Sequence, residues 1–471
     1  MVSGYSIVVL AAAAMGVRQA LGSCGFDSVE VTTSPGFTVT TSDDYKVVTD
    51  TTANTTYGMY CDSQPTGVSG VDKWFKVPVA SVGIREVAAS GFLEMLGKSK
   101  TIVAAEDPAN LTNPCMDSNV ATLDNSTSSS VSVVFSSDAN SDGDLSVRVP
   151  SDDSLTPLQK AEWIKFIATF FNAETTATTL FSGISTAYEC HRSNLQHLAS
   201  PPHAYWVQYT ASDAAYDNKP TYNIVDTAYQ KELLAAAGAT NDTKTALTDP
   251  TDQAAFQSAV ADADYVVDQT NLTDYGMRAS EWYADFGYTG AQNTGAPFLQ
   301  QRALWRTDGY ASSQGVSNFP EFAYARPDLV LQDIISVVEP TYNASYSRRW
   351  VLWLGGTAES AVTISSANYN CDAPWMAQVA SCSARSDFTG TADSASSSDA
   401  SNSGGSGSSH GRAAKIAGGV VGAVALVGLA IVAMHYINRH RRRTRIRALS
   451  GTSGYGGESI GLHDTRPRVY S

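Results

Sequence analysis

The feature that most constrains the fold is a long helical pattern in the middle of the chain, with strand and helix patterns on both sides of it. Apolar residues recur at helical spacing from Leu158 to Tyr188, after Thr156 as a cap and Pro157 at the first helical position. At 1.5 Å per residue, a helix over 157–188 would be about 48 Å long. Such a length exceeds one α/β lobe, so the pattern predicts a helix that joins two lobes.

The segment before this helix has the pattern of a βαβ unit. An apolar strand is predicted over 77–84, a helix over 85–96 that stops at Gly97, and a second strand over 101–105. Residues 131–135 predict a further strand. Strands that alternate with helices indicate an α/β lobe with a mostly parallel sheet.

The alternation begins again after the long helix. A last helix is predicted to start at Pro327, with Asp328 in its first turn, and to end before Pro340. The other predicted elements of this half are strands over 204–210, 265–268 and 302–306 and helices over 228–239 and 254–263. The sequence therefore predicts an α/β fold of two lobes with mostly parallel sheets, joined by one long helix.

Both ends of the chain carry signals for a membrane. The apolar run from Tyr5 to Met15 and the small-residue pattern after it predict a signal peptide over 1–22, although Leu21 to Cys24 also fits a bacterial lipoprotein box. Residues 416–434 contain no charge and are long enough to cross a bilayer, which predicts a transmembrane helix over 416–437. The arginines after it predict a basic cytosolic tail over 438–471. We therefore expect a single-pass type I protein of the cell membrane or an endomembrane, with its N-terminal part extracellular or lumenal.

Cysteines and glycosylation sequons support this topology. Every cysteine lies between the predicted signal peptide and the predicted span, and their even number suggests three disulfides among fifteen possible pairings: Cys24, Cys61, Cys115, Cys190, Cys371 and Cys382. The sequons lie on the same side, at Asn54, Asn110, Asn125, Asn241, Asn271 and Asn343. Together these features favour a eukaryotic secretory route over a bacterial lipoprotein.

Composition divides the rest of the chain. Residues 386–411 are nearly all Ser, Gly, Asp, Thr and Ala, so they predict a flexible stalk that cannot bury a core. The net charge of −15 includes an arginine-rich tail, so the ectodomain is strongly acidic, which argues against a nucleic-acid partner. An acidic surface suits a cationic or metal-bearing ligand, or serves solubility alone. The predicted domains of the ectodomain are an N-terminal lobe (23–155), a connecting helix (156–189), a C-terminal lobe (190–345) and a disulfide-tied extension (346–385).

Four stretches, taken in order, resemble a known family. They are "FKVPVASVGI…FLEMLGKSKTIVAA", "PLQKAEWIKFIATFFNAETTATTLFSGISTAYE", "DADYVVD" and "FPEFAYARPDLVLQDIISVVEP". The family is that of the bilobed solute-binding proteins for ferric siderophores, haem and vitamin B12, in its eukaryotic membrane-anchored branch. The resemblance spans roughly residues 40 to 345 and implies non-covalent capture of a small solute or metal chelate between two lobes, with no cofactor. The chain has no ATP-binding motif, so a transporter or an endocytic partner is expected to complete uptake.

Candidate ligand-binding residues follow from the position of the predicted strands. In α/β lobes, ligands lie beyond the carboxyl ends of the strands. Arginine and aromatic side chains there suit a carboxylate-rich or catecholate ferric chelate. The candidates are Arg85, Glu106, Tyr209, Trp305 and Arg306, with Glu86, Asp107, Asp213 and Gln269 beside them. The alternative for each is a solvated loop residue, because no ligand motif is matched residue by residue.

Three other motifs are weaker. His191, His197 and His203 could ligate a metal, but their spacing and Pro201-Pro202 favour a linker. Residues 138–149 begin like a calcium loop, yet position twelve is Val149, so an acidic surface loop is favoured. No enzyme is expected, because the G-x-S-x-G match at 457–461 lies in the tail. The alternative function is a glycosylated adhesion or signalling ectodomain that kept the fold without ligand binding.

Overall fold

The structure is a computed structural model, and it describes residues 25–124, 126–151, 153–242, 246–270, 279–288, 295–356, 359–385 and 388. The predicted signal peptide, Cys24, nearly all of the stalk, the predicted transmembrane helix and the basic tail lie outside these residues. Among the residues that are described, no helix has both the length and the apolar character needed to cross a bilayer.

The described elements are sixteen strands and ten α-helices. The strands are β1 (Phe37–Thr41), β2 (Tyr45–Asp50), β3 (Thr55–Tyr60), β4 (Lys73–Lys76), β5 (Val82–Ile84), β6 (Ile102–Ala105), β7 (Ala121–Thr122), β8 (Val133–Ser136), β9 (Ser146–Arg148), β10 (Ala204–Asp213), β11 (Lys219–Ile224), β12 (Tyr265–Asp268), β13 (Leu304–Arg306), β14 (Tyr310–Ala311), β15 (Leu352–Trp353) and β16 (Val362–Thr363). The α-helices are α1 (Ala88–Met95), α2 (Pro157–Ala161), α3 (Trp163–Ala168), α4 (Glu174–Asn194), α5 (Ala228–Ala236), α6 (Gln253–Ala259), α7 (Ala279–Asp285), α8 (Pro297–Gln300), α9 (Phe319–Phe322) and α10 (Pro327–Val338).

A four-stranded sheet that the sequence patterns did not predict precedes the α/β elements. Its order is β1-β2-β3-β4; the first three strands are antiparallel, and β4 runs parallel to β3. Alternate residues along the strands face inward, including Phe37, Val48, Tyr57 and Phe75. The rings of Phe37 and Tyr57 pack edge-on against Phe166 of α3. This sheet therefore covers α3.

The next sheet, called the N-terminal sheet below, has the order β7-β6-β5-β8-β9 with every neighbouring pair parallel. β5, α1 and β6 form the predicted βαβ unit, although β5 spans only Val82–Ile84 of the predicted 77–84. Every residue of α1 is buried, so the helix packs against other elements on all sides. The α/β class predicted from the sequence is confirmed.

The predicted connecting helix is not continuous. Its start is as predicted, with Pro157 first in α2 and Thr156 in a capping box, but the segment divides into α2, α3 and α4. The main break follows α3, where Asn172 has a left-handed φ of 51°. Lys46 of β2 donates to the Thr169 carbonyl at 2.8 Å and to Asn172 Oδ1 at 3.0 Å. A buried lysine from the preceding sheet thus binds at the break, and α4, at about 32 Å, is the long helix that remains.

The second α/β sheet, called the C-terminal sheet below, has the order β11-β10-β12-β13-β15. Its three central strands are parallel and match the strands predicted over 204–210, 265–268 and 302–306. Its two edge strands are antiparallel to their neighbours. One face packs on a separate core that includes Tyr205, Val207, Phe256, Val266, Trp282, Phe286, Phe298 and Leu304.

The extension over 346–385 is tied to both halves of the fold. Its strand β15 is an edge strand of the C-terminal sheet, and β16 pairs with β14. Its disulfides join Cys371 to Cys115, in the N-terminal half, and Cys382 to Cys190 on α4. Cys61 is disulfide-bonded as well. Both cysteines of the extension therefore pair with residues outside it.

Candidate functional site

The carboxyl ends of three parallel strands place charged residues at one edge of the N-terminal sheet. The backbone N–H groups of Arg85 and Glu86 donate to the Phe135 carbonyl at 2.8 and 3.0 Å. The N–H of Glu106 donates to the Ile84 carbonyl at 2.8 Å. Arg85, Glu86 and Glu106 therefore lie side by side where β5, β6 and β8 end, as the sequence predicted for this edge.

Arg85 is held in a charge network. Its Nε and Nη2 atoms donate to the two carboxylate oxygens of Asp142 at 2.6 and 2.9 Å, and Nη1 donates to Glu106 Oε1 at 2.9 Å. The Arg85 side chain is 23% exposed and that of Glu106 is 60% exposed. The hydrogen bond with Asp142 raises the pKa of Arg85 and lowers that of Asp142. The Arg85–Glu106 pair is thus the solvent-accessible part of this network.

The loop that begins like a calcium site contains a lysine ammonium. Lys73 of β4 donates through Nζ to the carbonyls of Gly143 and Ser146 at 2.7 and 2.9 Å, and also to the carbonyl of Ala139. Three main-chain oxygens around one cation resemble the way a loop surrounds a metal ion, but here the cation belongs to the protein. This contact positions the loop so that Asp142 reaches Arg85.

Substitution of Lys73 by methionine is expected to lower the free energy of unfolding by about 2 kcal/mol, because three carbonyls lose their donor. The measurement is urea unfolding of the two proteins. Lys76→Met is the matched control, since Lys76 lies on the same strand but is exposed, and its effect should stay within about 0.5 kcal/mol. Equal effects of the two substitutions would show that the loop does not depend on the ammonium.

At the corresponding edge of the C-terminal sheet, Arg306 is buried and paired within its own sheet. Its Nη1 donates to Asp268 Oδ2 at 3.1 Å, and the two side chains are 2% and 0% exposed. Its Nη2 donates to the Thr270 carbonyl and its Nε to Asp308 Oδ1, each at 3.2 Å. Burial raises the pKa of Asp268, and the Arg306 charge opposes that shift. Arg306 therefore ties the ends of β12 and β13 together.

The two aromatic candidates face different surroundings. The ring of Tyr209 packs against Tyr222 and Phe286, with centroids 5.5 Å away in each case. The ring of Trp305 lies against the guanidinium of Arg348 at 4.6 Å. Tyr209 is thus part of the core beneath β10 and β11, whereas Trp305 contacts the extension.

The structure therefore brings the predicted residues together in two groups. Arg85 and Glu106 form one ion pair, and Tyr209 and Arg306 are both bonded to Thr270, since the Tyr209 N–H donates to Thr270 Oγ1 at 2.8 Å. Trp305 belongs to neither group. Which of these side chains contacts a ligand remains a prediction.

A cluster of buried and half-buried polar residues lies between elements of the two halves; we call it the bridging cluster, formed by Asp153, Lys160, Gln230, Gln269 and Tyr324. Asp153, which precedes α2, pairs with Lys160 at 3.1 Å and accepts a 2.8 Å hydrogen bond from Gln230 Nε2 of α5. Gln230 Nε2 also donates to the side-chain oxygen of Gln269, which directly follows β12, at 3.1 Å. The Lys160 ammonium lies 3.4 Å from the ring centroid of Tyr324.

The bridging cluster also acts on the N-terminal edge. Burial raises the pKa of Glu86, and the positive charge of Lys160 opposes that shift. Glu86 follows β5 and Gln269 follows β12, so the same cluster acts on the carboxyl edges of both sheets. Sequence patterns did not single out Asp153, Lys160 and Gln230. A signal was present for Lys160, because a lysine inside the largely apolar stretch 157–171 must be buried and paired.

The predicted glycosylation sites fall on several surfaces. Asn54, Asn110 and Asn343 are exposed and Asn241 is half-buried, while Asn125 and Asn271 lie outside the described residues. Asn110 follows Glu106 in the same loop, so a glycan there would lie beside the N-terminal edge.

The three histidines that were considered as metal ligands are separated. His191 is buried on α4, where its Nδ1 lies 2.9 Å from the Tyr342 hydroxyl, whereas His197 is exposed. The backbone N–H of His203 donates to the Asp264 carboxylate at 2.8 Å. Across the described ranges, no three histidine, cysteine or carboxylate side chains gather into a metal-binding group.

Comparison with known proteins gives a likeness in fold. No protein-family model matches the chain, and no curated protein matches it. Solved structures of periplasmic binding proteins are similar. One from Veillonella parvula is 11% identical with a TM-score of 0.39, covering 64% of this chain and 97% of that chain. A periplasmic haem-binding protein of Vibrio cholerae is 17% identical with a TM-score of 0.37, covering 53% and 98%.

A siderophore-binding protein, solved with two molecules of acinetobactin and ferric iron, is 12% identical with a TM-score of 0.41, covering 56% of this chain and 94% of that chain. At these identities and TM-scores, the likeness does not indicate what this protein binds.

Proposed function

We propose that this protein is a membrane-anchored receptor that binds a small solute between the N-terminal and C-terminal sheets. The observation that carries the proposal is that the bridging cluster acts on both carboxyl edges, since it hydrogen-bonds Gln269 and its Lys160 charge acts on Glu86. Ligands of α/β proteins bind at such edges, and binding sites favour the interface between two halves of a fold. The bridging cluster would form the floor of the site.

Arg85 is the residue best placed to recognise an anionic ligand. Its pair with Asp142 orients the guanidinium, and its second partner, Glu106, is 60% exposed. An exposed ion pair contributes little, so a ligand carboxylate or catecholate would replace Glu106 at small cost. A ferric chelate, cobalamin or a similar nutrient is therefore the ligand class that we propose.

The proposed topology places this site outside the cytosol. Disulfides at Cys115–Cys371 and Cys190–Cys382 suit an oxidising compartment, and the apolar segment over 416–437 would be the anchor. A single span cannot move a solute by itself, so uptake would require a transporter or endocytosis. No catalytic role, cofactor or nucleic-acid partner is proposed.

A second candidate is a glycosylated adhesion or signalling ectodomain. Two observations favour it: the Arg306 guanidinium and the Tyr209 ring pack within their own half, and the exposed Asn110 of a sequon follows Glu106 by four positions. In that case the edges would support a protein-binding surface, and small solutes would not bind.

The deciding experiment is a thermal-shift screen of the glycosylated ectodomain against ferric siderophores, haem, cobalamin and free metal ions. A ligand at a hundred times its dissociation constant adds about 2.7 kcal/mol to the free energy of unfolding.

Arg85→Ala is expected to weaken binding by roughly tenfold or more, because a charge-assisted hydrogen bond is lost. Arg192→Ala, on the exposed side of α4, is the control and should leave binding unchanged. No shift with any ligand would favour the adhesion or signalling ectodomain.

A further inference from the structure

A second polar cluster, which shares no residue with the bridging cluster, lies where α1 meets α9. α1 follows β5 of the N-terminal sheet, and α9 comes after β13 of the C-terminal sheet. Their backbones touch, because a Cβ atom added at Gly91 would lie 2.2 Å from the Glu321 carbonyl oxygen. Each helix contributes one carboxylate to this contact, Glu94 from α1 and Glu321 from α9, and these side chains are 2% and 1% exposed.

The hydrogen-bond donors to Glu321 are neutral. Its Oε2 accepts from the N–H and the hydroxyl of Thr112, both at 2.5 Å. The Thr112 hydroxyl oxygen in turn accepts from Asn318 Nδ2 at 2.7 Å, and Asn318 Oδ1 accepts from the indole N–H of Trp350 at 2.9 Å. This series of hydrogen bonds connects the N-terminal half, α9 and the extension, and none of its groups carries a positive charge.

The donors around Glu94 are neutral too. Its Oε2 accepts from the Ser99 hydroxyl. Asn113 Nδ2 donates to the hydroxyl oxygens of Ser99 and Ser90 at 2.9 and 3.1 Å. Asn113 follows Thr112 directly, so the surroundings of Glu94 and Glu321 form one continuous cluster.

Oε1 of Glu94 and Oε1 of Glu321 are buried and make no hydrogen bond of ordinary geometry. Neutral groups nearby, the Tyr369 hydroxyl at Glu94 and the Ser90 hydroxyl at Glu321, lower the pKa of these carboxyls, but burial outweighs them. The titratable group that faces Glu94 from the extension is Tyr369. The cation that acts on Tyr369 is Arg326, whose guanidinium binds Asp328 at 2.9 and 2.7 Å. Loop 111–115 brings no charged side chain. Within the described part of the chain, the charges of Glu94 and Glu321 are therefore not balanced by a paired cation.

We propose that Glu94 and Glu321 form a proton-binding site that couples the contact between α1 and α9 to pH, with the protonated form stabilising the contact. A protonated carboxyl carries no buried charge, and its O–H supplies a donor that an ionised oxygen lacks. None of its groups belongs to the bridging cluster, so the proposal can be tested without a bound solute.

The direction of the coupling follows from the pKa values. Burial raises the pKa of Glu94, and it raises that of Glu321 from 4.5 to about 7. A carboxyl with a raised folded-state pKa contributes stability that is complete below the unfolded pKa and is lost as the pH rises through the folded one. The contact should therefore weaken between about pH 4.5 and pH 7 and change little above that range.

The test uses the full glycosylated chain in detergent, unfolded thermally from about pH 4.5 to pH 8.5. Relative to Glu321→Gln, the melting temperature of the wild type is expected to fall by roughly 3 °C from the acidic to the basic end. The comparison with Glu94→Gln should give a change in the same direction. The difference in melting temperature between the wild type and Glu189→Gln, a change on the exposed side of α4, should stay constant with pH. A constant difference for both Glu321→Gln and Glu94→Gln would overturn the proposal.

A second measurement needs no variant. Hydrogen exchange of the wild type, corrected for the intrinsic effect of pH, should show greater protection of α1 and α9 at acidic pH, with β12 as the internal reference. Equal protection at both pH values would contradict the coupling.

Addition of calcium chloride or potassium chloride at about pH 8 distinguishes a proton site from a cation site. If either salt stabilised the wild type and not Glu321→Gln, the site would bind a metal cation and the proposal would be overturned.

Discussion

Replacement of Asp333 by alanine is expected to lower the free energy of unfolding by about 4 kcal/mol, because the buried groups that donate to its carboxylate lose their acceptor. Asp333 lies on α10 with 0% of its surface exposed. Its oxygens accept the backbone N–H groups of Trp350 and Val351 at 2.7 and 3.0 Å, that of Arg349 at 3.1 Å, and the Tyr346 hydroxyl at 2.8 Å. One side chain thus holds the start of the extension on α10.

The measurement for Asp333→Ala is equilibrium unfolding in urea at neutral pH. Asp372→Ala is the control, since Asp372 is an exposed carboxylate of the same extension, and its cost should remain below about 0.5 kcal/mol. Asp333→Asn should restore little of the lost stability, because its amide nitrogen would face N–H donors. A cost of less than about 1 kcal/mol for Asp333→Ala would mean that residues 349–351 are held by other contacts.

Arg306→Ala is expected to have an effect of similar size, with a loss of about 3 to 5 kcal/mol in the free energy of unfolding. The substitution would leave the fully buried Asp268 carboxylate without its ion-pair partner. The same change removes the donor to the Thr270 carbonyl, which connects the ends of β12 and β13. Breaking a buried pair costs more than the pair contributes, because the remaining charge is not solvated.

A double variant separates the effect of the unpaired Asp268 charge from the effect of the lost Arg306 hydrogen bonds. Arg306→Met with Asp268→Leu removes both charges, so it should be more stable than Arg306→Ala, although it lacks the same guanidinium. Arg192→Ala removes a 42% exposed arginine and serves as the control. If Arg306→Ala and the double variant were equally unstable, the unpaired charge would not be the cause. Loss of binding in Arg306→Ala would therefore not identify a ligand contact, whereas Arg85→Ala tests one at a partly exposed residue.

Several elements were predictable from local sequence. The strand over 265–268 and the helix from Pro327 to Val338 lie at their predicted positions. A short apolar run between turn signals and a proline at the first helical position are local features, and they act on the backbone wherever the segment lies. The α/β class followed from the order of such elements.

Other elements depended on distant residues. The apolar spacing from Leu158 to Tyr188 continues across the break after α3, so periodicity predicted a single helix. The break binds Lys46, which lies more than a hundred positions earlier in the chain. The first sheet was missed because its strands are short and carry polar residues on their outer face, a pattern that loops share.

For the candidate site, sequence identified the edge but not the role of each side chain. Arg85 and Arg306 both follow or end a parallel strand, yet one is partly exposed and the other is buried against Asp268. That difference arises from the neighbouring strands that supply the carboxylates. The bridging cluster was not predictable as a unit, because Asp153, Gln230 and Gln269 come from three separate segments.

The sequence by itself determined the α/β class, the positions of most central strands and of α10, and the presence of an even set of cysteines. Tertiary structure alone decided the pairing of Cys115 with Cys371 and of Cys190 with Cys382, the break in the long helix, and the burial of Arg306, Glu94 and Glu321. The physical reason is that backbone preferences act over a few residues, whereas burial and the pairing of charges depend on which distant segments meet.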